Sequence, residues 1–171
     1  MRFRHILHGA RHIAIMVTIE IPGRETLVLQ NLVLDMNGTL ALDGRLLAGV
    51  AERIARLRES LAISLISADT HGGLEHNAAV LGVQAIRLKP GDEAQQKAAW
   101  VESLGAASVV AIGNGANDVE MLRTAALGIA VLGEEGLAAE CLLAADVVVP
   151  SIVAALDLML SPRRLIATLR R

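Results

Sequence analysis

Leu32-Val33-Leu34-Asp35-Met36-Asn37-Gly38-Thr39-Leu40 decides how this chain is read. Three consecutive apolar residues without alternation predict a short strand buried on both faces, and such strands belong to parallel sheets covered by helices. Asp35 then stands at the carboxyl end of the strand, and Asn37-Gly38 supplies the turn that follows. Outward from this stretch the same alternation repeats. Residues 17–21 and 26–30 flank Pro22-Gly23-Arg24 and predict an antiparallel hairpin. Strands are predicted at 63–66, 83–88, 109–112, 128–131 and 147–149. Helices are predicted at 50–60, 74–81, 93–104, 118–126, 136–143, 152–160 and 162–170, the last with Ser161 as N-cap and Pro162 at its first position. Strands alternating with helices predict an α/β fold with a doubly wound, Rossmann-like parallel sheet. The expected organisation is a tail over 1–15 and one domain over 16–171. Within that domain, 16–30 is a hairpin, 31–150 the catalytic core and 151–171 the C-terminal helices.

Composition narrows the function. The 171 residues are 53% hydrophobic and 20% charged, too apolar and too weakly charged for intrinsic disorder. The apolar region 137–160 is broken by Glu140, Asp146, Pro150 and Asp157, so it offers no membrane span. A net charge of −2 without a basic stripe argues against nucleic acid, and with Trp100 and Phe3 as the aromatics there is no base-stacking platform. Cys141 is the single cysteine, which excludes an internal disulfide and a cysteine-rich zinc site and fits a reducing cytoplasm. His5, His8 and His12 in the tail lack a nearby carboxylate and read as a solvated basic segment rather than a metal site.

In doubly wound sheets the chemistry lies beyond the carboxyl ends of the strands. Asp35-Met36-Asn37-Gly38-Thr39 follows the first core strand and Ser67-Ala68-Asp69 the second. Lys97 lies in the helix before the fourth, and Gly113-Asn114-Gly115-Ala116-Asn117-Asp118 follows that strand. Each Asn-Gly or Gly-Asn-Gly alone reads as a β-turn. Four such segments at successive strand ends instead converge carboxylates, a hydroxyl, a lysine and glycine-rich turns on one rim. That set suits Mg²⁺ and a phosphate: oxygen ligands for a hard cation, N–H groups and an ammonium for phosphate oxygens. His71 and His76 read as surface residues at a helix start, with the site mouth as the alternative for His71; Trp100 reads as core, and Glu134-Glu135 as a solvated turn, with the active rim as the alternative. Leu42-Asp43-Gly44-Arg45 reads as the tip of a small hairpin.

These four segments resemble, in order, the motifs of the haloacid dehalogenase superfamily of aspartyl-phosphate enzymes. The nearest resemblance is to its P-type ATPase branch, and within it to small soluble proteins that share Ile21-Pro22-Gly23-Arg24 and the Asn-Gly-Thr of the first motif. The resemblance implies Asp35 as nucleophile and metal ligand, and Asn37 as a further metal ligand through its main-chain carbonyl. It implies Thr39, Ser67, Asn37, Gly38 and Lys97 around the phosphate, Asp118 with Asn114 in the metal shell, and Asp69 and Asn117 near the substrate. It implies a hydrolase using Mg²⁺ on a small phosphorylated substrate. The segments 40–50 and 70–89 are too short for a cap domain, so a capless, open site is expected. By analogy with capless relatives that close their sites by assembling, a homo-oligomer is expected. Two departures matter. Most phosphatases of the superfamily have a second Asp at the Asn37 position as general acid and base, and Asn114 replaces another usual acid, which predicts weaker Mg²⁺ binding. Good leaving groups, or a protein that binds phosphorylated ligands with little turnover, are the two readings these departures leave.

Overall fold

β-Branched and leucine-rich runs separated by glycine turns build ten strands and seven α-helices in the computed structural model, which describes residues 16–68 and 73–171. The tail 1–15, Asp69 and His71 lie outside the described residues. The chain opens with the antiparallel hairpin of β1 (Val17–Ile19) and β2 (Leu27–Leu29), closed at its turn by Arg24 N donating to Ile21 O at 3.1 Å. Next come β3 (Asn31–Asp35), a second hairpin of β4 (Ala41–Leu42) and β5 (Arg45–Leu46), α1 (Val50–Leu57), β6 (Ala62–Ser67), α2 (Gly73–Leu81) and β7 (Gln84–Arg87). Then follow α3 (Glu93–Ser103), β8 (Val109–Gly113), a 3₁₀ turn at Ala116–Asp118, α4 (Val119–Thr124), β9 (Leu127–Val131) and α5 (Ala139–Ala144). The chain ends with β10 (Val147–Val149), α6 (Ile152–Leu160) and α7 (Pro162–Leu169).

Six strands form one parallel sheet in the order β10-β9-β8-β3-β6-β7. The winding runs outward from β3 to β6 and β7, then returns to the other side of β3 for β8, β9 and β10. β3 therefore lies at the switch point, with β6 and β8 as its two neighbours. Successive side chains of a strand face opposite ways. Leu32 and Leu34 enter the core shared with Ile54, Leu74 and Leu156, whereas Val33 enters the one shared with Val101, Met121 and Cys141. Both faces are covered, as the uninterrupted apolar reading of β3 requires. Between β3 and α1 the chain holds only the β4–β5 hairpin, whose turn is at Asp43-Gly44 as expected, so no cap is inserted there.

Two local expectations are corrected. The helix expected over 136–143 begins at Ala139, because Gly136 has φ +89° and Ala138 ψ 132°, both outside helical geometry. Ser161 makes no side-chain cap to α7, although Pro162 occupies its first turn; the serine that caps is Ser151, whose Oγ accepts from Ala154 N at 3.2 Å to start α6.

α1 and α6 are clamped across their faces by Arg53, which donates to Asp157 through Nε at 2.7 Å and Nη2 at 3.1 Å. A hydrogen bond from Arg53 holds the Asp157 carboxyl below its usual range. A carboxylate depressed in the folded state stabilises above its unfolded pKa, and that contribution is lost as pH falls through the folded value. Asp157→Asn is accordingly expected to lower Tm slightly at neutral pH, with the difference from the parent protein vanishing below the carboxylate range. An unchanged difference in acid would show that the pair acts through packing rather than charge.

Candidate active site

Because β6 and β8 flank β3, the carboxyl ends of these strands bring Asp35, Ser67 and Asn114 to one edge of the sheet. α3 brings Lys97 over the same edge. Asp35, Asn37, Ser67, Lys97 and Asn114 line one open cavity of about 380 Å³, together with Ala68, Gly115, Asn117, Glu93 and Glu135.

Lys97 is the centre of the arrangement. Its side chain is 1% exposed, and Nζ donates to Asp35 Oδ1 at 2.7 Å and to Asp118 Oδ1 at 2.6 Å. Asn117 Oδ1 lies 3.4 Å from the same nitrogen, while Asn117 Nδ2 donates to Glu93 Oε2 at 3.0 Å. Burial alone would pull the ammonium's pKa down, but the charges of Asp35 and Asp118 outweigh it and hold Lys97 above its ordinary value. Asp35 is pushed the other way from a usual carboxylate, up to about 7, first by burial and then by the Asp118 charge, against the opposing pull of Lys97 and the Thr39 hydroxyl. One ammonium shared between two buried carboxylates explains both shifts. With Asp35 ionised, the trio carries one uncompensated negative charge out of water, which is costly unless a cation joins it.

Asp118, expected in the metal shell, lies beneath the cavity. It is fully buried and absent from the cavity wall. Its Oδ2 accepts from the Asn114 and Gly115 amides, both at 2.9 Å, and its Oδ1 is taken by Lys97. Gly113 allows this packing, since a Cβ there would lie 2.5 Å from the Asp118 carboxyl carbon. Asp118 thus holds Lys97 and the Asn114 turn from beneath, and on this segment it is Asn114 that lines the cavity. Thr39 and Gly38 also lie behind the wall. Thr39 is fully buried, its hydroxyl 3.0 Å from Asp35 Oδ2 and 2.8 Å from Asn114 Oδ1. The Gly38 N–H is spent on Ala41 O at 2.9 Å. Asn37 and Ser67 stand on the cavity wall, with Asn37 Nδ2 donating to Ser67 Oγ at 3.4 Å.

Among the described residues no group of three His, Cys, Asp or Glu side chains gathers around one point. The donor set is instead mixed: the Asp35 carboxylate, Asn114 Oδ1, and the Asn37 main-chain carbonyl, which accepts no hydrogen bond among the described residues. All three are hard oxygens, and together with the uncompensated charge they fit Mg²⁺ better than a softer ion. Two further acidic residues stand on the wall. Glu93 opens α3 and lies there beside Asn117, a placement no local pattern signals. Glu135 is exposed, as a solvated turn requires, and also lines the cavity, which agrees with the alternative place on the active rim. Trp100, expected as core, is only half-buried, its indole nitrogen donating to Ser64 Oγ at 3.1 Å.

Known proteins bear on this geometry. An uncharacterized protein of Methanocaldococcus jannaschii is 50% identical over 62 residues, which are 36% of this chain and 67% of that protein. Among solved structures, the 3-deoxy-D-manno-octulosonate 8-phosphate phosphatase of Moraxella catarrhalis, in complex with magnesium, phosphate and its sugar acid, superposes with a TM-score of 0.61 at 17% identity, covering 83% of this chain and 94% of that one. The cobalt-bound deoxy-D-mannose-octulosonate 8-phosphate phosphatase of Haemophilus influenzae superposes with a TM-score of 0.63 at 15% identity, covering 82% and 89%. At such identities the likeness speaks for the fold. The sequence profile of haloacid dehalogenase-like hydrolases matches residues 94–150, the stretch that carries Lys97 and the Asn114–Asp118 turn. Over that third of its length the chain is similar in sequence to haloacid dehalogenase-like hydrolases.

Proposed function

We propose that this protein is a Mg²⁺-dependent phosphohydrolase acting through an aspartyl-phosphate on Asp35, on small phosphorylated substrates with good leaving groups such as acyl phosphates or phosphoanhydrides. The observation that carries the reading is a buried carboxylate at the switch point, lining an open cavity with the Lys97 ammonium 2.7 Å away. An Asp35 oxygen attacks phosphorus while the bond to the leaving oxygen breaks and that oxygen keeps the electron pair. The Lys97 ammonium, the Ser67 hydroxyl and the Asn37 amide stand where they can donate to phosphoryl oxygens. Water then attacks the phosphorus of the acyl phosphate, releasing inorganic phosphate and regenerating the Asp35 carboxylate. Mg²⁺, held by Asp35, the Asn37 carbonyl and Asn114 Oδ1, would supply the positive charge that offsets the phosphoryl oxygens. Nothing at position 37 can protonate the departing oxygen, so leaving groups that are stable as anions are favoured.

Asn37 and Asn114 also favour a second reading, a protein that binds Mg²⁺ and a phosphorylated ligand or partner with little turnover. Phosphate release from acetyl phosphate, read beside heat protection by beryllofluoride with Mg²⁺, separates the two. The enzyme is expected to show both, and each should require the metal. Protection without phosphate release would favour the binder, and neither effect would overturn the site assignment.

Asn37→Asp supplies the missing acid. Sugar and alkyl phosphates should be hydrolysed about tenfold faster or better, corresponding to roughly 1.4 kcal/mol of barrier, while acetyl phosphate gains little. A uniform change across leaving groups at saturating Mg²⁺ would mean that Asn37 is not a vacant acid position.

A further inference from the structure

The loop after β9 crosses the cavity wall to meet the turn after Asp35. Gly133 seats it: a Cβ there would lie 3.0 Å from Gly38 O. Two residues on, the Glu135 carboxylate reaches the same turn. Gly38 has φ +75°, and a Cβ built on it would lie 2.6 Å from Glu135 Oε2 and 2.8 Å from Asn114 Nδ2. Any side chain at position 38 would fill this cradle. The loop also orients Asn114, whose Nδ2 donates to Gly136 O at 3.1 Å, leaving Oδ1 turned toward Thr39 and Asp35. Among the described residues the Glu135 carboxylate makes no hydrogen bond or ion pair, although it lines the cavity with Asp35 and Asn114.

Asn114 offers a metal an oxygen but no charge. The cation site therefore lacks one negative charge at the position where the superfamily usually has an acid, and an unengaged carboxylate stands beside it, delivered by the loop that fixes the Asn114 amide. We propose that Glu135 supplies that charge as an acidic member of the cation's oxygen shell, compensating for Asn114. This rests on the reading of the Asp35 cavity as a Mg²⁺ site. Affinity for hard cations follows the number of charged oxygens as much as the number of ligands. Glu93 is the natural control, since it is also a cavity carboxylate but is tied to Asn117.

The test is Mg²⁺ binding to the full chain without substrate, by titration calorimetry, with Mn²⁺ electron paramagnetic resonance as an independent readout of the ligand shell. Glu135→Gln is expected to weaken Mg²⁺ by about tenfold or more, and Glu93→Gln by less than about threefold. Asn114→Asp should tighten binding, and in that background Glu135→Gln should cost less than about threefold, because the charge is restored elsewhere. Glu135 is exposed, so the metal-free Tm of Glu135→Gln should match the parent. Equal losses in Glu93→Gln and Glu135→Gln would overturn the assignment as a general field effect, as would parent-like affinity in Glu135→Gln. If the unmodified protein binds no Mg²⁺, or binds it equally after Asp35→Asn, the Mg²⁺ reading itself fails and takes this assignment with it.

Discussion

Asp35→Asn should abolish phosphate release, by about 10⁴-fold or more, since no phosphoenzyme can form on an amide and removal of a nucleophile is seldom compensated by the rest of a site. The same substitution should stabilise the metal-free protein. In the folded chain the Asp35 pKa is raised from 3.8 to about 7. Between those values the folded state binds the proton more tightly than the unfolded one, so the stability owed to Asp35 is present in acid and lost as pH rises toward 7 and above. An uncharged amide of the same shape escapes that loss. The Tm advantage of Asp35→Asn over the parent, measured with a chelator present, should be near zero at pH 4 and largest at pH 8, reflecting about 2–4 kcal/mol. Activity retained in the variant would remove Asp35 from the chemistry, and a Tm advantage independent of pH would contradict the charge argument.

Lys97→Met should act in the opposite direction on stability. It removes the one ammonium that two buried carboxylates share, at 2.7 and 2.6 Å, and leaves them facing each other. Breaking a buried pair on one side costs about 3–5 kcal/mol. For a chain of this size that corresponds to roughly a 10 °C fall in Tm, together with loss of activity. Two recoveries should accompany it. Lowering the pH protonates Asp35 and should restore part of the lost stability, and Asp118→Asn in the same chain should restore more. If Lys97→Met and Lys97→Met with Asp118→Asn melt alike at neutral pH, the lysine contributes packing rather than charge.

How far the sequence carries this picture depends on whether a feature is local. β3, β6 and β8 are legible because apolar runs such as Val33-Leu34 must be buried on both faces, and their ends place Asp35, Ser67 and Asn114 without further information. What the motifs leave open is orientation. Thr39 and Asp118 are in the right neighbourhood but turn inward, where the first aligns acceptors and the second anchors Lys97. No spacing rule distinguishes an oxygen that faces the cavity from one spent on backbone amides three and four residues away. Glu93 carries no local signal for the complementary reason: it enters the site beside Asn117, on a distant segment. Leu137 and Ala138 have helical composition, yet the backbone of Gly136 and Ala138 keeps this stretch out of α5.

Cys141 lies behind the Asn114 turn, its Sγ donating to Gly115 O at 3.2 Å. Burial and the neighbouring carboxylates push the thiol up to about 11, and it is fully enclosed. Alkylating reagents attack the thiolate, so at neutral pH this sulfur is both inaccessible and almost wholly in its unreactive form. Since it is the single cysteine of the chain, the protein already behaves as a cysteine-free background for chemical labelling. A cysteine introduced at the exposed Asp43, on the tip of the β4–β5 hairpin, could carry a fluorophore or spin label without any prior substitution at position 141. The motions of the hairpin thus become observable in a chain whose interior is left untouched.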